Sequence, residues 1–329
     1  MNKDDLIHST AEINPIYSLF DRDDVKILLE GRELVQTLWR DDIRSQRSLQ
    51  INTSRPEDPG DLIATFGLSP ITFPDQFKMA ISGGGHEERK IRTLHSSSLI
   101  SLLCFYGITS DNPLYLKLEN HIIRFTEARF EVQNPVGTDE EGKSHYSNMD
   151  VVLRGVDTST GNNVILFLES KFSEYLSWGK YSPISNLVYL DTYEKLINGG
   201  YLDRMGLRYD SIDMDKCYSE LASKSGRTRH YAGGIKQMVS HFIGVQNAIE
   251  DKKFKGCDVY LGEILYKFPD TIDPEHKKFN DYTGLYKTLA EGLNAISEDK
   301  FKVIGNSLTY QDVFKSFNLD KSVKMYYNI

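Results

Sequence analysis

The run Val164 to Phe172, VILFLESKF, sets five apolar residues in a row and closes them with Glu169 and Lys171. In a β-strand residues two apart share a face, so this carboxylate and this ammonium would project together, their Cα atoms roughly 6.5–7 Å apart. Upstream, NMDVVL opens a second apolar run with an acid, Asp150, and the turn cluster TSTGN lies between the two runs. Antiparallel strands joined by such a turn place the start of one beside the end of the other, which makes Asp150 and Glu169 neighbours at one edge of a sheet. Two carboxylates brought together raise each other's pKa unless they share a cation. Mg2+ suits that role, with Mn2+ as a substitute, because it takes oxygen ligands and leaves positions for water and substrate phosphate. Lys171 alongside can position or deprotonate an attacking water and counter charge developing on a phosphate.

The spacing alone carries little weight, since Glu-x-Lys recurs at Glu88/Lys90, Glu141/Lys143, Glu250/Lys252, Glu275/Lys277 and Glu298/Lys300. Only the 169/171 copy ends a buried-strand pattern, and only it follows a strand that opens with an acid. A strand-end ion pair at the rim of a sheet is the competing reading.

The elements around this pair follow from periodicity. DRDDVKILLEGRELVQTLWRDDIRSQRS reads as helix, and the polar, proline-containing NTSRPEDPGD after it marks a boundary. SGGGHEERKIRTLHSSSLISLLCFYG places a helix after a glycine run, and PLYLKLENHIIRF reads as a second helix with Pro113 in its first turn. ARFEVQNPV, MDVVLRGVD and NNVILFLESKF are three strand-type runs. GGIKQMVSHFIGVQNAIE is helical, with Ile235, Met238, Val239, Phe242 and Ile249 in one stripe, and CDVYLGEILYKF is a further strand. The chain divides into an N-terminal helical extension (1–60), a core (61–270) and a helical or mixed C-terminal extension packed on it (271–329).

Composition bounds the partners. The 329 residues, 40% hydrophobic and 26% charged, suffice for one large or two modest domains. The three cysteines, Cys104, Cys217 and Cys257, show no C-x-x-C spacing, which fits a reducing cytoplasm. MNKDDLIHST is charged, and SLISLLCFYGI is too short for a membrane span, so neither export nor a membrane partner is expected. A net charge of −8 argues against nonspecific coating of nucleic acid but permits a locally basic cleft. No G-x-x-x-x-G-K-S/T motif occurs, which argues against translocation driven by ATP.

Asp150 followed at a strand and a turn by Glu169-Ser170-Lys171 resembles the signature of the PD-(D/E)xK nucleases, with Met149 where the name-giving proline would stand. SGGGHEERKIRTLHSSSL, FEVQNPV, FLESKFSEYL and AGGIKQMVSHFIG resemble a narrower group of bacterial restriction endonucleases, and the resemblance spans about residues 73–270. It implies an α/β (α+β) restriction-endonuclease-like core, a central mixed β-sheet flanked by helices. It implies a Mg2+-dependent nuclease acting on DNA, with Asp150 and Glu169 as metal ligands, the Ser170 carbonyl as a further one, and Lys171 as the catalytic lysine. A methyltransferase partner and a homodimer accord with that group. A nucleic-acid-binding protein with a dead site on the same fold, or a repair or RNA nuclease, is the alternative.

Such cores frequently add a glutamate from before the strands, and Glu88, Glu127 and Glu131 are the candidates. Glu88 sits in the first turn of a helix, where the macrodipole favours an anion with or without function. Gln237 and His241, four apart, share a helix face away from the apolar stripe. Gln237 matches a glutamine that related nucleases place near the metal. His241 fits a capping or core hydrogen bond as readily as a role in chemistry. Lys224, Arg227 and Arg229 in KSGRTRHYAGG, with Lys236 beyond, form the most concentrated basic segment and suit phosphate contacts. His95 and its neighbouring serines lack the elbow motif of a nucleophile.

Overall fold

The computed structural model describes residues 97–139, 141–172, 174–176, 187–205, 228–268, 270, 273–319, 323, 324, 327 and 329, together with strands β1 (Glu33–Val35) and β2 (Gln50–Asn52). These two strands are antiparallel partners, Leu34 opposite Ile51. They correct the expected helix over this region: three residues are too few to show a period, and the β-branched Val35 and Ile51 favour strand. The rest of the expected N-terminal extension lies outside the described residues.

After α1 (Ser97–Phe105) come β3 (Leu114–Leu118), β4 (His121–Thr138), β5 (Ser144–Asp157) and β6 (Asn163–Lys171), an antiparallel meander. PLYLKLENHIIRF is therefore a hairpin, not the expected helix: Leu114, Leu116 and Leu118 are buried while Tyr115 and Lys117 are exposed. Leu114, Lys117 and Leu118 also fit helical spacing, but alternation and the branched Ile122 and Ile123 favour strand. Short helices α2 (Leu190–Asn198) and α3 (Tyr201–Arg204) precede α4 (Thr228–Glu250), which crosses over to β7 (Cys257–Leu265), parallel to β6. With a parallel neighbour and helices on both faces, the VILFL run of β6 is buried throughout.

Then α5 (Lys277–Ser297) leads to β8 (Lys302–Val303) and β9 (Leu308–Thr309), which pair parallel with successive parts of β7, and α6 (Tyr310–Phe314) follows. The result is an open, mixed α/β sheet flanked by helices, in the order β3-β4-β5-β6-β7-β8 with β9 also on β7. Residues beyond 270 thus complete the same sheet that the preceding residues begin. Among the described residues no helix is long and apolar enough to cross a membrane.

Two irregularities shape the long β4–β5 hairpin. The register shifts between Phe125 and Glu127, and there a Cβ on Gly155 would lie 2.2 Å from the Arg124 carbonyl oxygen, so only glycine fits. Glu131 has φ +50°, a left-handed residue inside a strand. Helix α4 packs closely on the distal part of the hairpin: a Cβ on Gly244 would sit 2.3 Å from Ser147 Oγ.

Pairing between β5 and β6 runs from Val156 opposite Asn163 to Val151 opposite Leu168 and stops. Beyond it β5 stays with β4 down to Ser144, and β6 stays with β7 up to Lys171. The two strands part like a fork, with Asp150 and Glu169 at the crotch.

Candidate active site

One further step of the β5–β6 register sets Asp150 opposite Glu169. The flanking pairs Phe130–Val151 and Val132–Met149 set Glu131 opposite Asp150, and Glu169 is the partner of Glu263 in the parallel pair. Four adjacent strands therefore each bring one acid to a single row.

Glu169 is buried, and both its oxygens are engaged. Lys171 Nζ donates to Oε1 at 2.6 Å and His241 Nε2 donates to Oε2 at 2.8 Å. Lys171 also donates to Gln237 Oε1 at 2.6 Å. The four-residue spacing of Gln237 and His241 is what lets one face of α4 reach both ends of this ion pair. Burial by itself would raise the pKa of Glu169, but the charges of Lys171 and His241 and their hydrogen bonds hold it well below the usual carboxylate range. Burial likewise opposes a charged Lys171, and Glu169, Glu174 and Asp150 together overcome it and keep the ammonium charged.

Asp150 has the opposite fate. Its Oδ2 accepts the Ser170 N–H at 2.7 Å, taking a backbone donor just where the strand ladder ends. Burial raises its pKa, and Glu169 and Glu131 raise it further; Lys171 and the Ser170 N–H offset only part. The Ser170 side chain lies across the sheet from Lys171, its Oγ donating to the Ser97 carbonyl and meeting Tyr310 Oη at 2.7 Å. Beyond Glu169, Glu263 accepts from Ser307 Oγ at 2.5 Å and Tyr282 Oη at 2.9 Å, and burial pushes its pKa up to about 7.

The sequence candidates thus separate. Asp150, Glu169, Ser170, Lys171 and Gln237 meet at the fork, and Glu131 joins them through its charge on Asp150. Glu127 pairs with Arg129 at 2.6 Å on the surface. Lys236, half-buried, holds its Nζ 5.7 Å from the ring centre of Tyr189, and burial lowers its pKa. Arg229 lies in the first turn of α4. Glu88, His95, Lys224 and Arg227 lie outside the described residues. His241, for which a core hydrogen bond is one of the readings, makes one to Glu169, and Glu263 has no reading from sequence; the signals for them are the Gln237/His241 spacing and an acid inside the apolar CDVYLGEILYKF.

The donor set suits a hard cation held by few carboxylates. Asp150 stands against two further acids with one lysine nearby, an excess of negative charge that a divalent ion would neutralise. Among the described residues no group of three or more His, Cys, Asp or Glu side chains converges as a ready ligand cage. Asp150 and Glu169 are the fork carboxylates that could hold such an ion, and both Glu169 oxygens already accept hydrogen bonds, from Lys171 and His241. The chain matches no family model, no curated protein and no solved structure.

Proposed function

We propose that the protein is a metal-dependent phosphodiesterase of restriction-endonuclease-like fold. Within that class the reading is a DNA nuclease of restriction type. The observation that carries it is the fork, where two strands part and leave an aspartate, a glutamate and a lysine together beside a glutamine from the crossing helix. Asp150 and Glu169 would hold Mg2+ or Mn2+, which supplies charge neutralisation at the scissile phosphate. Lys171 stays protonated and donates hydrogen bonds, so its work is to hold the attacking water or a phosphate oxygen and to stabilise charge in the transition state. Gln237 orients the ammonium and His241 orients the carboxylate.

A binding protein without catalysis is the second reading. It is favoured by the full engagement of Glu169 between Lys171 and His241, which a purely structural ion-pair network would also display.

Purified protein incubated with plasmid and Mg2+ separates the two. Cleavage is expected, and Lys171→Ala should reduce it at least about 10²-fold while the variant retains its circular dichroism spectrum. Intact plasmid throughout would overturn the reading as a restriction-type nuclease, and full activity in a folded Lys171→Ala protein would overturn the placing of its active site at the fork.

A further inference from the structure

The side of the sheet that carries Lys171 continues beyond the site. Arg154 pairs with Ile165, which shares its strand face with Glu169 and Lys171. Through Glu127, Val152 and Val156 the register carries that face to Arg129 and Arg124, and onward to Tyr115, Ile122 and Lys117. Over β6 it is covered, with Phe254 packed 5.4 Å from Phe167. Over β3 and β4 it is open: Tyr115 is 55% and Ile122 51% exposed.

The charge of this open face is opposite to that of the whole chain. Short of the acid row, whose Glu131 and Asp150 lie on the same side, Lys117, Arg124, Arg129 and Arg154 stand against one carboxylate of these strands, Glu127, which Arg129 already pairs at 2.6 Å. Arg124 gives one N–H to the Ser110 carbonyl, and the buried Nε–H of Arg154 finds no acceptor among the described residues. Along β4 the cations lead to the acid row, Arg129 preceding Glu131 by two residues, roughly 6.5–7 Å.

Resting on the nuclease reading, we infer that this face is the track for a single-stranded segment of the nucleic-acid substrate. Lys117, Arg124 and Arg154 take its phosphates, and an unstacked base lies on the Tyr115 ring beside Ile122. Exposed cations alone would serve any duplex, whose bases are turned inward. An exposed aromatic ring and an aliphatic side chain on an open sheet face meet a base only where the strand is unpaired.

Fluorescence anisotropy in EDTA, with a labelled oligothymidylate and a duplex of the same length, tests the track without cleavage. Tyr115→Ala should weaken single-strand binding at least about fivefold and leave duplex binding within about twofold. The double variant K117A/R124A should weaken binding and flatten its salt dependence by about one to two counterions. Wild-type affinity in both variants, or equal loss on both substrates in Tyr115→Ala, would overturn the inference. So would a shift from dimer to monomer in Tyr115→Ala with binding unchanged, since the face would then be a contact between copies. Binding that follows these expectations in a protein that cuts neither plasmid nor single-stranded or flapped oligonucleotides with Mg2+ would sink the nuclease reading and leave the track standing.

Discussion

The hairpin of β5 and β6 has an aspartate at each end, and the two ends treat it differently. At the closed end Asp157 accepts hydrogen bonds from the Ser159 N–H and hydroxyl, the Thr160 hydroxyl and His121 Nδ1 at 2.7–2.9 Å. The Ser159 N–H and hydroxyl lead in holding its pKa well below the usual carboxylate range, and most of its donors come from within three residues. At the open end Asp150 has the Ser170 N–H, an acid on each side and a raised pKa. A carboxylate satisfied by its own turn is architecture that any hairpin can build locally. One held against other acids is destabilised by the fold around it, and such groups gather at functional sites.

Exchanging each aspartate for asparagine should invert the two effects. Asp150→Asn keeps an acceptor for Ser170 and removes the repulsion, so plasmid cleavage should fall at least about 10²-fold while stability at pH 7 rises by about 1 kcal/mol. Asp157→Asn removes acceptors that Thr160 and His121 use, so melting temperature should drop by a few degrees with specific activity retained. Melting curves and initial rates on the same preparations decide it; loss of stability in Asp150→Asn would erase the contrast.

A second experiment asks whether the open end is held together by its helix. His241→Leu leaves Glu169 Oε2 buried without its donor and should cost about 1–3 kcal/mol in urea unfolding. His241→Gln, which can place an N–H near the same point, should recover part of that loss. Equal costs for both would mean that the imidazole acts through packing alone.

The smallest effect concerns the last acid of the row. The Glu263 pKa of about 7 exceeds its unfolded value of about 4.3, so the folded state holds a proton there that the unfolded state has released. Stability should therefore be highest below about pH 4.3 as far as this group is concerned, and fall as pH rises toward 7. With EDTA in every buffer, Glu263→Gln should flatten the decline between pH 5 and 7.5 relative to wild type, by at most a few kcal/mol. Parallel pH curves for the two proteins would place the titration elsewhere.

The contrast between the two ends also marks what could be read in advance. The closed end is local: TSTGN between two apolar runs announced its turn, and the hairpin followed. Helix α4 and strand β7 were legible for the same reason, each declaring its own period. The segment 113–125 misled because leucines at 114, 116 and 118 serve two periods over so short a run. The open end is tertiary. That Glu131 and Glu263 flank Asp150 and Glu169 depends on the register of four strands, and that His241 meets Glu169 depends on how α4 crosses them. No window of sequence contains those relations.

Late-made residues reach into the middle of the sheet, where Tyr310 meets Ser170 and where Tyr282 and Ser307 hold Glu263. During synthesis β7 must wait for β8 and β9, and the acid row stands without its last supports until position 310 has left the ribosome. The fork is thus completed by residues far downstream of the strands that carry its acids.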